Sequence, residues 1–478
     1  MRRGLFESLK DYSDSDFYPF HMPGHKRNPD SGPLSDFYQM DITEIDGFDN
    51  LHQPETIIKE AQEHAARLYG AQETYFLVNG STAGILSAVS AVAGRGDRLI
   101  IARNCHKAVY HAAFLNHLRL HYVYPEILAD YGIAGQVKAE TLDAKIREIL
   151  SEDEGQSPND TEAIAGIVIT SPTYDGVCSD IEALAKVAHG YGIPLIVDQA
   201  HGAHFGMHPA YPENAVRQGA DLVIHSVHKT LPAPTQTALI HRNGNLTDGE
   251  YLRKYLRIYQ SSSPSYLLMA GIDEGVRLAE EEGFKRLGNL LEWRDEFLKK
   301  IKGCRHFQVC PYTEPGKLVI FVRDAVITGR LLYDLLREKY HLQMEMASGN
   351  YVIAILTMMD RKEGLERLWD ALIDIDKALL LKADRSEIKG QKMPEYFSLK
   401  PEKKTELWKA YLSPYREIEL EEAQGETAAE FMNLYPPGIP ILVPGEAVSS
   451  EAIHIIRGYL HSGYEVQGIC ENKIKVLK

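Results

Sequence analysis

Between residues 60 and 245, short apolar runs alternate with segments of helical periodicity, and the runs are bounded by Gly, Pro or Asp. The runs are TYFLV (74–78), DRLIIA (97–102), LHYVYP (120–125), IAGIVIT (164–170), IPLIVD (193–198), DLVIHSV (221–227) and TALIH (237–241). Segments such as STAGILSAVSAVAG and IEALAKVAHGYG stand between them with apolar residues at helical spacing. This pattern leaves few folds open, because parallel strands need crossover connections and the crossover helices then cover the sheet. Near-continuous apolar strands imply cover on both faces. The expectation is an α/β domain over residues 61–300, built on a mostly parallel seven-stranded sheet.

Beyond this region the pattern changes. YLRIYQSSSPSYLLMAGIDEGVRLAEEEGFKRLGNLLEWRDEFLKKI reads as helix broken near Pro264, since proline cannot continue a helical hydrogen-bond ladder. KLVIFVRD (317–324) and YVIAILTM (351–358) read as strands around the helix ITGRLLYDLLREKY, which predicts a smaller α+β domain over 301–385. From about residue 390 the chain is richer in charge and proline, and YPPGIPILVPGE (435–446) is its most constrained piece. A C-terminal domain over 386–478 is expected, with residues 1–60 as a segment that joins the active site and a dimer contact.

The net charge of -15 argues against binding a phosphate backbone, which calls for clustered Lys and Arg. A cationic small substrate suits an acidic chain better. MRRGLFESLKDYSDSDFYPF lacks the apolar core of a signal peptide, and no apolar run is long enough to span a bilayer. The five cysteines are scattered without CxxC spacing, as expected for free thiols in a reducing cytoplasm.

Ligands of open α/β sheets bind where strands end at their carboxyl edge, so reactive residues are sought there. The first run ends in VNGSTAGI, where Gly80, Ser81 and Thr82 open a helix; free N–H groups and hydroxyls there suit a phosphate, and equally a plain helix cap. The second ends in ARNCHKAVYHA, where His106 could stack on an aromatic ligand or simply start a helix. IPLIVD ends at Asp198, a buried carboxylate that needs a cation or protonated ring nitrogen as partner. Ala200 follows and is small enough for a flat ring to lie against it. DLVIHSV then delivers Ser226, His228 and Lys229, and a desolvated lysine amine is what Schiff-base chemistry requires. Together, a phosphate-binding helix start, an acid for a ring nitrogen, a small residue under the ring and a lysine about thirty residues after that acid describe a pyridoxal phosphate site. A rival reading comes from His201, His204 and His208, whose H-x2-H-x3-H spacing would suit a metal hydrolase.

The chain resembles the Orn/Lys/Arg decarboxylases, pyridoxal phosphate enzymes of fold type I. The resemblance rests on FHMPGHKRN (20–28), FLVNGSTAG (76–84), RNCHKA (103–108), SPTYDGVCSDI (171–181), VDQAHGAHFG (197–206), HSVHKT (225–230) and YPPGIPILVPGE (435–446). It implies Lys229 as the covalent cofactor lysine and Asp198 as the partner of the ring nitrogen. Ser81, Thr82, Ser226 and His228 become phosphate and cofactor ligands, His106 the stacked imidazole and His201 the histidine on the lysine side; Thr173 joins the cofactor ligands. Gln199 stands where many relatives carry another residue, at a position expected to point away from the ring. HMPGHK begins at residue 21, which implies the short form without an N-terminal wing, and hence a homodimer or homotetramer. The implied reaction is decarboxylation of a basic amino acid, with the short form leaning toward arginine, agmatine and polyamine synthesis; lysine, ornithine and aminotransfer remain alternatives. Glu44, Asp46 and Asp49 of DITEIDGFDN and Glu446 of VPGE are the candidate carboxylates for the cationic substrate tail.

Overall fold

The computed structural model describes residues 3–153, 162–383, 396–434 and 438–478. Tyr435 to Pro437 of YPPGIPILVPGE, and the stretch 386–395 at the start of the expected C-terminal domain, lie outside the described residues. The chain forms two compact units. One holds Met1–Gly94, Ala165–Ile169 and Ile181–Lys285; the other holds Arg95–Ile164, Thr170–Asp180 and Arg286–Lys478.

The seven apolar runs of the sequence are the seven strands of one sheet. They are β1 (Glu73–Leu77), β2 (Arg98–Ala102), β3 (Arg119–Val123), β4 (Ile164–Thr170), β5 (Leu195–Asp198), β6 (Leu222–His225) and β7 (Ala238–Arg242). Their spatial order is β1-β7-β6-β5-β4-β2-β3. The neighbours β2 and β3 run parallel, as do β5 and β6, whereas β7 is antiparallel to both β1 and β6. The continuous apolar reading holds in detail: Leu195, Ile196 and Val197 of β5 and Leu222, Val223 and Ile224 of β6 are all fully buried. Such side chains contribute about 1.5–3 kcal/mol each when removed from water.

In the first unit, helices α1 (Ile57–Tyr69) and α2 (Gly80–Val92) flank β1 along the chain. Small residues dominate α2, and Ala83, Gly84, Ser87, Ala88 and Ser90 are buried among them. This lets the helix sit close to the sheet. A Cβ on Gly84 would come within 2.6 Å of Leu77 Cδ1 and 3.3 Å of Ile224 Cγ2, so a larger residue there would force these side chains on β1 and β6 to shift. The helix Gly249–Tyr259 ends before Pro264, and the next, Tyr266–Ile301, starts beyond it.

In the second unit, Lys317–Val322 and Tyr351–Ile355 form the centre of a four-stranded antiparallel sheet, with Phe307–Val309 and Met346–Ser348 at its edges. Leu332 and Leu336 of the helix Gly329–Tyr340 and Leu368 and Leu372 of Lys362–Ala383 pack with Leu318, Ile320 and Val352 into one core. A separate core gathers Met432, Leu434, Ile441, Ile456 and Val476 from the C-terminal strands and the helix Ser450–His461.

Candidate active site

Strands β5 and β6 remain joined past their ends. Asp198 stands opposite Ile224, the Gln199 N–H donates to the Ile224 carbonyl at 3.0 Å, and the Ser226 N–H donates to the Ala200 carbonyl at 3.3 Å. The chain then turns through the short helix Val227–Thr230, which carries His228 and Lys229. Lys229 Nζ lies 3.1 Å from His201 Nε2. Asp198, Ala200, His201, Ser226, His228 and Lys229 are thus all delivered by the ends of two adjacent parallel strands.

Asp198 is buried and accepts the Ala200 N–H at 3.2 Å. Burial pushes its carboxyl above the ordinary value of 3.8, while the Lys229 ammonium and the Ala200 N–H pull against that rise. An ionised carboxylate here gains from a cation placed beside it. Burial depresses His228, and Lys229 acts in the same direction; the opposing contribution is the hydrogen bond between Nδ1 and the Thr237 carbonyl at 2.8 Å. Because a carbonyl only accepts, Nδ1 carries the proton and donates it in this bond. Ser226 is fully buried, and among the described residues its hydroxyl has no hydrogen-bond partner.

Gly80 opens α2 with a φ of +72°, a left-handed conformation that glycine adopts without strain. Thr82 is exposed and Ser81 half-buried, so both hydroxyls stand at an accessible helix start with the N–H groups of the first turn. These groups suit pyridoxal phosphate: an orphaned buried hydroxyl and an open helix start match phosphate oxygens, a buried carboxylate matches a protonated ring nitrogen, and an amine matches the aldehyde.

The remaining expected residues divide. His106 is the N-cap of α3 (Lys107–Leu115), and its Nδ1 accepts the Ala108 N–H at 3.2 Å, which fixes the ring plane. Thr173 is buried, and its hydroxyl accepts the Val177 N–H at 3.0 Å within its own loop. Glu446 is buried; its Oε2 is ion-paired with Arg103 at 3.0 Å and accepts the Val443 N–H at 2.9 Å, while its Oε1 has no hydrogen-bond partner among the described residues. Asp49 accepts the Glu55, Thr56 and Ile58 N–H groups at 2.8–3.1 Å and caps the approach to α1. Asp46 is exposed. Glu44 is half-buried, its Oε1 is without a hydrogen-bond partner among the described residues, and its charge acts on the Tyr266 hydroxyl.

The histidine array does not converge. His201 turns to Lys229, His204 is buried edge-on to Phe205 and Tyr211, and His208 caps the Ala210 N–H and lies against Phe284. Among the described residues no group of three or more His, Cys, Asp and Glu side chains is placed to hold a metal ion, and the donor geometry of the rival reading is therefore lacking. Sequence reasoning gave no role to His225, His241, Thr74 or Tyr69, which are buried next to this site. The signal was Thr74, His225 and His241 as polar residues inside otherwise apolar strands; Tyr69 ends helix α1.

The fold and these residues define a pyridoxal phosphate enzyme of fold type I. The chain belongs to the Orn/Lys/Arg decarboxylase family: the family's major domain matches residues 3–362 and its C-terminal domain residues 391–468. Enzymes of this family depend on pyridoxal phosphate, and that is the cofactor of this amino acid decarboxylase. The chain is 31% identical to the arginine decarboxylase of Bacillus subtilis, over 99% of this chain and 97% of the relative, and 29% identical to that of Bacillus anthracis, over 99% and 96%. The inducible lysine decarboxylase of Escherichia coli is 28% identical over 63% of this chain and 44% of its own length. Among solved structures, a lysine decarboxylase from Francisella novicida superposes with a TM-score of 0.84 at 19% identity, over 99% of this chain and 81% of that one. A serine palmitoyltransferase from Sphingomonas wittichii shares the fold more distantly, with a TM-score of 0.52 at 16% identity, over 68% of this chain and 77% of that one.

Proposed function

We propose that this enzyme converts L-arginine to agmatine and carbon dioxide, in the cytoplasm, as a step toward polyamines. The observation that carries the chemistry is the pairing of Lys229 Nζ with His201 Nε2 at 3.1 Å beside the buried Asp198. The preference for arginine draws on relatives named arginine decarboxylase that match over nearly the full length, whereas the inducible lysine decarboxylase matches a smaller part. The cytoplasmic assignment is supported by five free cysteines and by the absence, among the described residues, of a helix long and apolar enough to cross a membrane.

Bound pyridoxal phosphate supplies a sink for the electron pair left on the α-carbon when the carboxylate departs as carbon dioxide. Lys229 would hold the cofactor through its amine, and Asp198 would offer the ring nitrogen a desolvated carboxylate that favours its protonated form. Ser81, Thr82 and the first-turn N–H groups of α2 would bind the phosphate with Ser226 and His228, and Ala200 would lie against the ring; His106 and Thr173 are the further cofactor ligands that the resemblance implies. His201 orients Lys229 and shares its proton, so this pair is set to return one proton to the α-carbon. Glu44 is the carboxylate for the guanidinium tail.

Steady-state rates with arginine, lysine and ornithine, with the amine products identified, test the substrate. Agmatine at the highest kcat/KM is the expected result; cadaverine or putrescine as the favoured product would overturn the preference and leave decarboxylation standing. Glu44→Gln should raise KM for arginine about tenfold or more, the worth of a hydrogen bond to a charged group, with kcat little changed. An unchanged KM would remove Glu44 from the site.

A further inference from the structure

A buried polar chain runs from the end of β5 across β6, β7 and β1 of the first unit, beside the site. Gln199, directly after Asp198, accepts two hydrogen bonds on Oε1, from the Ala215 N–H at 3.0 Å and from His225 Nε2 at 2.8 Å. His225, directly before Ser226, meets His241 with Nδ1 to Nε2 at 3.0 Å. His241 Nδ1 meets the Thr74 hydroxyl at 2.7 Å. The ring of Tyr69 lies 4.8 Å from the first imidazole and 4.6 Å from the second, and its hydroxyl donates to the Ala203 carbonyl at 2.6 Å. All five side chains are buried, His225 and His241 completely.

The protons in this chain follow from one fixed point. A backbone N–H only donates, so the Ala215 N–H identifies the Gln199 atom as the carbonyl oxygen, and His225 must donate to it from Nε2. Burial holds both imidazoles neutral, with His225 well below the ordinary 6.5 and His241 at about 3. His225 Nδ1 is therefore bare and accepts from His241 Nε2–H, and His241 Nδ1 accepts the Thr74 hydroxyl proton. The hydrogen-bond network assigns each position in turn.

Apolar side chains would join these strands with less directional demand. A hydrogen-bonded chain in a low-dielectric interior fixes angles and distances, and it is costly if one member is lost. Its ends are placed with consequence: Gln199 adjoins Asp198, His225 adjoins Ser226 and the turn to Lys229, and Tyr69 grips the loop that carries His201. We propose that His225 and His241 are positioning residues, neutral and protonated on Nε2, which set the placement of the strand ends bearing Asp198 and Lys229. This rests on the reading that those two residues hold the cofactor.

The test compares purified His225→Phe, which keeps a ring against Tyr69 without its hydrogen bonds, with His225→Gln, whose amide can donate to Gln199 and accept from His241. Four quantities are measured: pyridoxal phosphate affinity of the cofactor-free protein, the pH midpoint of the bound cofactor's visible absorption band, kcat and KM for arginine, and thermal stability. His225→Phe should shift the band midpoint, weaken cofactor binding several-fold and lower kcat about tenfold or more with KM nearly unchanged, as expected for a small misplacement of reacting groups. His225→Gln should recover most of each. A His225→Phe protein that melts earlier but keeps the wild-type band, cofactor affinity and kcat would overturn the proposal, since only packing would then be at stake. Should His225→Phe not fold, Thr74→Val removes the terminal donor alone: the same band shift in smaller measure supports the chain, and an unshifted band overturns it. Lys229→Ala, run alongside, separates the two readings, because a wild-type band in that variant would overturn the cofactor assignment itself.

Discussion

At the scale of single residues, the site depends on charges held where water cannot stabilise them. Asp198 illustrates the trade. Burial raises its folded-state pKa above the ordinary 3.8, so ionisation costs the cofactor-free protein stability. That cost is absent below 3.8 and is incurred as pH rises through the raised value. At neutral pH, Asp198→Asn should therefore leave the cofactor-free protein at least as stable as wild type, yet abolish most of the rise in Tm that pyridoxal phosphate gives. Thermal melts with and without cofactor check this; a less stable apoprotein that still gains fully from the cofactor would contradict it. Lys229, Asp198 and the GST helix start were legible in the sequence because each interrupts an apolar run at its carboxyl end. The ion pair of Glu446 with Arg103 was not legible, because the two lie far apart in the chain and sequence spacing holds no record of that pairing.

At the scale of elements, the seven strands of the large sheet were legible because both faces are covered and their apolar runs are unbroken. The edge strands Phe307–Val309 and Met346–Ser348 and the C-terminal Tyr415–Glu419 were not. They are short, and Tyr415, Arg416 and Glu417 are exposed, so no hydrophobic period marks the strand. The histidine chain was hidden for another reason: Thr74 and His241 are brought together by sheet order, as β7 pairs with β1. Its presence has a consequence for acid stability. Both imidazoles have folded-state pKa values depressed by burial below 6.5, with His241 at about 3 and His204 also acting on His225, so the stability they favour is present above 6.5 and is lost as pH falls. Urea unfolding should show wild type losing roughly 1.4 kcal/mol per pH unit per histidine below that point. A His225→Gln/His241→Gln protein should show a shallower slope. Equal slopes would mean that these histidines take up protons in the folded state.

At the scale of the molecule, the first unit gathers Asp198, His201, Ser226, His228 and Lys229, and it also exposes an apolar stretch. Phe17, Tyr18, Phe20, Met22 and Phe37 are each more than 60% exposed, in a segment otherwise rich in charge. Exposed apolar clusters of this kind mark interaction surfaces. A homodimer that covers this segment is the proposed assembly, and sedimentation should give a dimer or larger species at micromolar concentration, with Phe20→Asp shifting it toward monomer. A fully active monomer at every concentration would contradict it. Carbon dioxide release from carboxyl-labelled arginine by the cofactor-loaded protein, beside Lys229→Ala, tests the proposed decarboxylation most directly. The prediction is one carbon dioxide and one agmatine per arginine consumed, with neither formed above background by the variant. Wild-type turnover in Lys229→Ala, or a keto acid formed without carbon dioxide, would contradict it.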